Sequence, residues 1–158
     1  FHDVFLREYG SLQAPLPPRY YVPGDRLWFR NPDAASAEVE GYEGSWVFYL
    51  GSGRFTNFWK PGQPYTLVSK CVELYHWRDG LRRDGTRPWI DETVVEARVA
   101  ESLADPAVTA RILARMMRLR DPGGVYAEGG CIDASREALR SLLSGTWDLG
   151  LPSLAATA

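Results

Sequence analysis

Apolar and polar residues follow two different periods along this chain. Between Asp25 and Trp77 the period is close to two, and beyond Glu92 it lengthens to that of a helix. "DRLWFRNP" reads as a strand cut off at Pro32, and "DAASAEVEGYEG" as a polar loop. "GYEGSWVFYLGSGRF" reads as a β-hairpin folded around Gly51, Ser52 and Gly53. "KPGQP" then turns the chain into "YTLVSKCVELYHW", a further long β segment. Glu92 to Leu103 and Pro106 to Leu119 have apolar residues at helical spacing, with Asp105 as N-cap and Pro106 at the first helical position of the second. "CIDASREALRSLL", Cys131 to Leu143, predicts a third helix with Ile132, Leu139, Leu142 and Leu143 as its stripe. Upstream, "FHDVFLREYG" predicts a short helix ending at Gly10, followed by the proline-stiffened connector "APLPPRYYVPG". Strands first and helices after predict an α+β fold, an antiparallel sheet of about four strands with helices on one face.

Within the hairpin, pairing Leu50 with Arg54 sets Val47 opposite Asn57 and Ser45 opposite Trp59. Glu43, Ser45, Val47, Tyr49, Phe55, Asn57 and Trp59 then share one side. Three polar groups among apolar ones mark either a half-buried sheet near its edge or the wall of an active site.

Length and composition narrow the classes. The 158 residues are read as a single domain, 1–158, and 45% hydrophobic with 13% aromatic residues suffice for a real core. A formal charge of −2 offers no broad footprint for a phosphate backbone, so nucleic acid is not the expected partner. The chain has no run of about 18 apolar residues and no secretory-type apolar stretch in its first 30 residues, so a soluble protein without membrane insertion is expected. The chain opens on Phe1 rather than Met, so an upstream segment is expected to have been trimmed or cleaved, which suits either a cytoplasmic protein or a secreted effector. Lys60 and Lys70 are the only lysines among 18 basic residues. Either a GC-rich genome accounts for that, or the chain avoids offering amines to its own chemistry or to host modification. With two cysteines and two histidines, a disulfide framework and an all-cysteine zinc site are excluded; neither metal nor cofactor is expected.

A thiol is the most promising nucleophile. If Gly130 caps the predicted helix, Cys131 is its first residue, and the helix N-terminus lowers the thiol pKa. Gly129 and Gly130 also permit close substrate approach, as an oxyanion hole requires. The alternative is a small buried cysteine beside a cap made by Ser135. Cys71, in mid-strand, reads as a packing residue not joined to Cys131. His76 is the only interior histidine, read near a strand end, where it is either the base or a satisfied neighbour of Trp77. Glu43 is either an acid/base group of the wall or a solvated loop carboxylate, and Asp133 either orients a base or caps the helix.

"GDRLWFRNPD" followed by "GYEGSWVFYLGSGRF" resembles the bacterial spore-coat protein-glutamine γ-glutamyltransferases, where a Gly-Asp strand ends in an aromatic, a basic residue and Asn-Pro. The same hairpin is similar to that of NlpC-type papain-like peptidases and their circularly permuted relatives. The match runs from about Pro23 to Trp59. Both families place their cysteine helix before these strands, so the resemblance implies a papain-like core that is either permuted, with Cys131 as the nucleophile, or part of an enzyme whose nucleophile lies upstream of Phe1. It implies that Ser45 stands where the peptidases have their histidine base and the transglutaminases a catalytic glutamate. Asn57 falls on the third polar residue of the peptidases. A one-step shift or bulge would bring Glu43 to the glutamate's place.

Two function classes follow. One is thiol-dependent acyl transfer on a protein or peptide amide, giving crosslinking, deamidation or hydrolysis through a thioester, with Cys131, His76, Glu43, Ser45 and Asn57 as site residues. The other is a catalytically inactive papain-like module that holds a protein partner on Trp46, Phe48, Phe58 and Trp59.

Overall fold

The computed structural model of the chain describes residues 6–11, 13–15, 21–60, 62–120 and 130–139. Among these residues eight strands and four helices follow in order: β1 (Leu6–Tyr9), β2 (Arg26–Arg30), α1 (Ala34–Ala37), β3 (Gly44–Gly51), β4 (Arg54–Thr56), β5 (Tyr65–Thr66), α2 (Leu67–Gly80), β6 (Leu81–Arg82), β7 (Trp89–Ile90), α3 (Glu92–Ala104), α4 (Pro106–Met116) and β8 (Arg136–Leu139). The main sheet runs β1-β8-β2-β3-β4-β5 and every pair in it is antiparallel. β6 and β7 form a separate ribbon. The α+β class and the antiparallel sheet are as expected, with six strands because β1 and β8 join the edge.

Period-two patterning explains the sheet's two faces. Leu27 and Phe29 of β2, Ser45 and Val47 of β3, and Phe55 of β4 are buried, while Trp46 and Leu50 are exposed on the other face. The hairpin keeps the expected pairing only at Phe48 opposite Thr56 and Tyr49 opposite Phe55; β4 ends at Thr56, so the pairs expected between Val47 and Asn57 and between Ser45 and Trp59 do not form, and Trp59 is exposed. The closing pair is Gly51 and Arg54, with Leu50 the extra residue of a bulge. Gly51, Ser52 and Gly53 all take positive φ, which two glycines make inexpensive.

Several sequence expectations are overturned. The segment "YTLVSKCVELYHW" is a strand only over Tyr65–Thr66; from Leu67 it is helix α2, so the sheet does not run unbroken from Asp25 to Trp77. Thr66 and Ser69 form a capping box, and the helix buries Lys70, Cys71, Val72, Leu74, His76, Trp77 and Gly80. A helix covered on several sides has no clean apolar stripe, so its β-branched and aromatic residues imitate a strand. Residues 1–5 lie outside the described residues, and Leu6–Tyr9 is strand rather than the end of a helix.

A further correction concerns Cys131. Residues 130–135 are not helical, with Gly130 at φ 81° and Ile132 bridged to Phe29 and Leu119, and Arg136–Leu139 is β8, so no helix begins at Cys131; 140–143 lie outside the described residues. Backbone hydrogen bonds hold the segment: Arg30 N donates to Cys131 O (2.8 Å), Cys131 N to Met116 O (3.0 Å) and Ile132 N to Arg118 O (3.1 Å). Partners on two sides outcompete an isolated helical turn. The helices expected over 92–103 and 106–119 are present as α3 and α4, each capped by an aspartate, Asp91 and Asp105. α2 packs against α3 and α4. Cys71, Val72, Leu74 and Trp77 of α2 meet Leu27, Phe29, Val47 and Phe55 of the sheet, together with Val95, Ile112 and Met116.

Candidate active cleft

At the start of β3, around Gly44 and Ser45, a cleft of about 630 Å³ opens between the sheet, α2 and α3. Ser45 and Asn57 stand on its sheet side, Tyr65, Lys70, Glu73 and Trp77 at β5 and α2, and Val95, Val99 and Leu103 on α3. Size and a mainly apolar lining with a few polar groups suit a small ligand or an extended peptide side chain.

The loop before β3 is shaped by Asn31. Its side-chain amide donates to Ser36 Oγ and to Tyr42 O, both at 2.9 Å, and its Oδ1 accepts from Asp33 N at 3.0 Å. Asn31 is 1% exposed, and Asp33 caps α1 beside it. The Asn-Pro that ends β2 thus fixes the loop that carries Tyr42 into the cleft. Tyr42 packs edge-on against Trp77 at 4.9 Å and donates its hydroxyl to Glu92 Oε1 at 2.9 Å. Burial first, then that hydrogen bond, raise its pKa far above the ordinary phenol value.

Lys70 is the buried charge of the cleft, only 2% exposed. Its Nζ lies 3.0 Å from Glu73 Oε2, 4.8 Å from the centroid of the Tyr65 ring and 5.9 Å from that of Trp77. An i, i+3 carboxylate and two aromatic faces offset the cost of removing an ammonium from water. Burial, then the Glu73 charge, raise the Tyr65 pKa, and its hydroxyl has no hydrogen-bond partner among the described residues. At the mouth, Asn57 Oδ1 accepts from Lys60 N (3.0 Å), and Lys60 Nζ lies 3.2 Å from Glu96 Oε1 on α3.

The five site residues expected from sequence separate. Ser45 and Asn57, 5% and 9% exposed, both line the cleft. Glu43 does not line it; its carboxylate turns back to accept from Gly41 N at 3.3 Å. His76 is in mid-helix rather than near a strand end, with Nδ1 2.6 Å from Asp79 Oδ2 and Nε2 2.7 Å from Ser102 Oγ, and it ties α2 to α3 inside the core. Cys131 lies not at an open helix terminus but 3.5 Å, sulfur to sulfur, from Cys71, and both are buried and outside any disulfide. Its thiol pKa is pushed up by the Cys71 hydrogen bond and by burial, the opposite of thiolate activation. The two cysteines are unjoined, as expected, although they are neighbours. Asp133 is not a helix cap: its carboxylate pairs with Arg120 at 3.0 Å.

Lys70, Glu73, Tyr65 and Trp77 were not candidates from sequence. One signal was present: one of two lysines in the chain, three residues before a glutamate, inside an otherwise apolar run.

Among known proteins, no curated protein matches the chain. Of solved structures, a transglutaminase from Geobacillus stearothermophilus without its C-terminal extension matches at 20% identity and a TM-score of 0.35, over 60% of this chain and 42% of that one. The chain thus spans less than half the length of that relative. A model of the protein-glutamine gamma-glutamyltransferase family matches residues 1–141, which takes in every described residue, the Asn31 clamp and both walls of the cleft; the chain belongs to that family.

Proposed function

We propose that the cleft receives a protein or peptide glutamine side chain and that the chain serves glutamine acyl transfer there. In that reaction a thiolate attacks the γ-carboxamide carbon and ammonia leaves. The γ-glutamyl thioester is then resolved by a primary amine, giving a crosslink, or by water, giving glutamate. The observation that carries the reading is a family match over most of the chain together with a cleft walled by Ser45, Asn57, Lys70 and Glu73. Cys131 is this chain's candidate thiol. It serves only after the contact with Cys71 breaks, because there it is protonated and outside the cleft.

The shut-in pair of cysteines favours a second reading: the chain binds the glutamine-bearing partner and forms no thioester. Incubation with a glutamine-rich protein and a fluorescent primary alkylamine separates the two. Covalent label that disappears in Cys131→Ala and persists in Cys71→Ala establishes acyl transfer through Cys131. Binding of the protein without label establishes the module. Neither binding nor label refutes both.

A further inference from the structure

The Lys70–Glu73 pair has hydrogen-bonding capacity that the fold does not use. Among the described residues Glu73 Oε2 is the only oxygen within hydrogen-bond reach of Lys70 Nζ, which otherwise faces the rings of Tyr65 and Trp77. An ammonium has three donors, so most of its capacity stays open in a residue 2% exposed on a cleft wall. Glu73 Oε1 has no hydrogen-bond partner among the described residues, and the Tyr65 hydroxyl beside the pair is buried without one. A buried hydroxyl left unpaired carries a penalty that a matching ligand removes, whereas the Glu73 carboxylate, 29% exposed, meets water until a ligand takes its place.

We infer that Lys70 and Glu73 together select a primary carboxamide over a carboxylate in the cleft. Lys70 donates to the carboxamide oxygen and Glu73 Oε1 accepts from its NH₂, a donor and an acceptor side by side against an acceptor and a donor. A ligand carboxylate has no hydrogen to give Glu73 and sets a like charge against it, with Glu92 and Glu96 also on the wall. Sites that hydrogen-bond a specific group reject analogues lacking it far better than apolar pockets discriminate by size. The inference rests on the reading of the cleft as the glutamine site and adds which residues distinguish substrate from its deamidated form.

Calorimetric titration of the whole chain with N-benzyloxycarbonyl-Gln-Gly and its Glu-Gly counterpart tests it. The wild type should prefer the glutamine peptide by at least ~10-fold, and Lys70→Met should weaken that peptide by a similar factor. Glu73→Gln keeps the shape of a partly exposed side chain, removes the like charge and adds a donor, so the glutamate peptide should gain at least ~10-fold relative to the glutamine peptide. A wild type that binds neither peptide overturns the cleft reading and this inference with it. A wild type that binds the glutamine peptide, with a glutamine-to-glutamate preference in Glu73→Gln within about twofold of its own, overturns the pair's role alone.

Discussion

At the scale of single residues, environment rather than identity sets the chemistry. A cysteine at an open helix terminus is a thiolate in waiting; the same cysteine against Cys71 in a core is a protonated packing group. Native iodoacetamide labelling of Cys71 and Cys131 near pH 8.5, where a free thiol is about half ionised, should therefore be at least ~100-fold slower than in guanidinium. Rapid native labelling of Cys131, followed by mass spectrometry, would show an open thiol. Lys70 carries the complementary lesson. Glu73→Ala strips a buried ammonium of its oxygen partner and should cost about 1–3 kcal/mol in urea unfolding, since Glu73 is itself partly exposed and water partly replaces it. An unchanged midpoint would mean that Lys70 reaches solvent without Glu73. Ser45 was legible because period-two alternation places side chains on a face whatever the rest of the fold does; Asn57, one residue past β4, reaches the same cleft from a turn in which it accepts from Lys60 N. Lys70 was not, because its segment reads as a strand until its helical geometry is known.

Among the elements, α2 decides the cleft. Its β-branched and aromatic residues argue for a strand, yet the Thr66–Ser69 capping box and burial on several sides win, because tertiary packing outweighs propensity. Its last residue, Gly80, lets α3 come close: an added Cβ would lie 2.6 Å from Val95 Cγ2 and 2.9 Å from Asp91 O. Gly80→Ala should gain about 1 kcal/mol of helix propensity. The overlap outweighs that gain, so a net destabilisation of about 1–3 kcal/mol in urea unfolding is expected. A stabilised variant would mean that α3 yields at that contact. α3 and α4 were read correctly because their signals are local, an aspartate cap followed by apolar residues at helical spacing. Asp105→Ala, which removes acceptors from Ala107 N and Val108 N, should cost about 1 kcal/mol by the same measurement. An unchanged midpoint would mean that Pro106 and water suffice at that helix start.

For the whole molecule, the described interior holds several acids in their neutral form. Burial first, then neighbouring charges or hydrogen bonds, raise Tyr21, Tyr42 and Tyr65, and the Cys71 contact with burial raises Cys131. Above about pH 9 the unfolded chain releases these protons while the native one keeps them, so stability present at neutral pH is lost as pH rises. Thermal melts followed by circular dichroism should fall progressively between about pH 9 and 11, and a constant melting temperature over that range would remove these groups from the balance. Sequence by itself determined the α+β class, the hairpin with its two faces, the inward side of Ser45, the helices at 92 and 106 and the family resemblance. All of these rest on local periodicity, caps and short motifs. Only the tertiary structure decided that α2 is a helix, that 130–139 is a non-helical segment pinned between β2 and the end of α4, that the two thiols face each other, and that Lys70 and Glu73 line a cleft. Each of those depends on which distant segment supplies the hydrogen bonds or fills the space, information that no window of neighbouring residues contains.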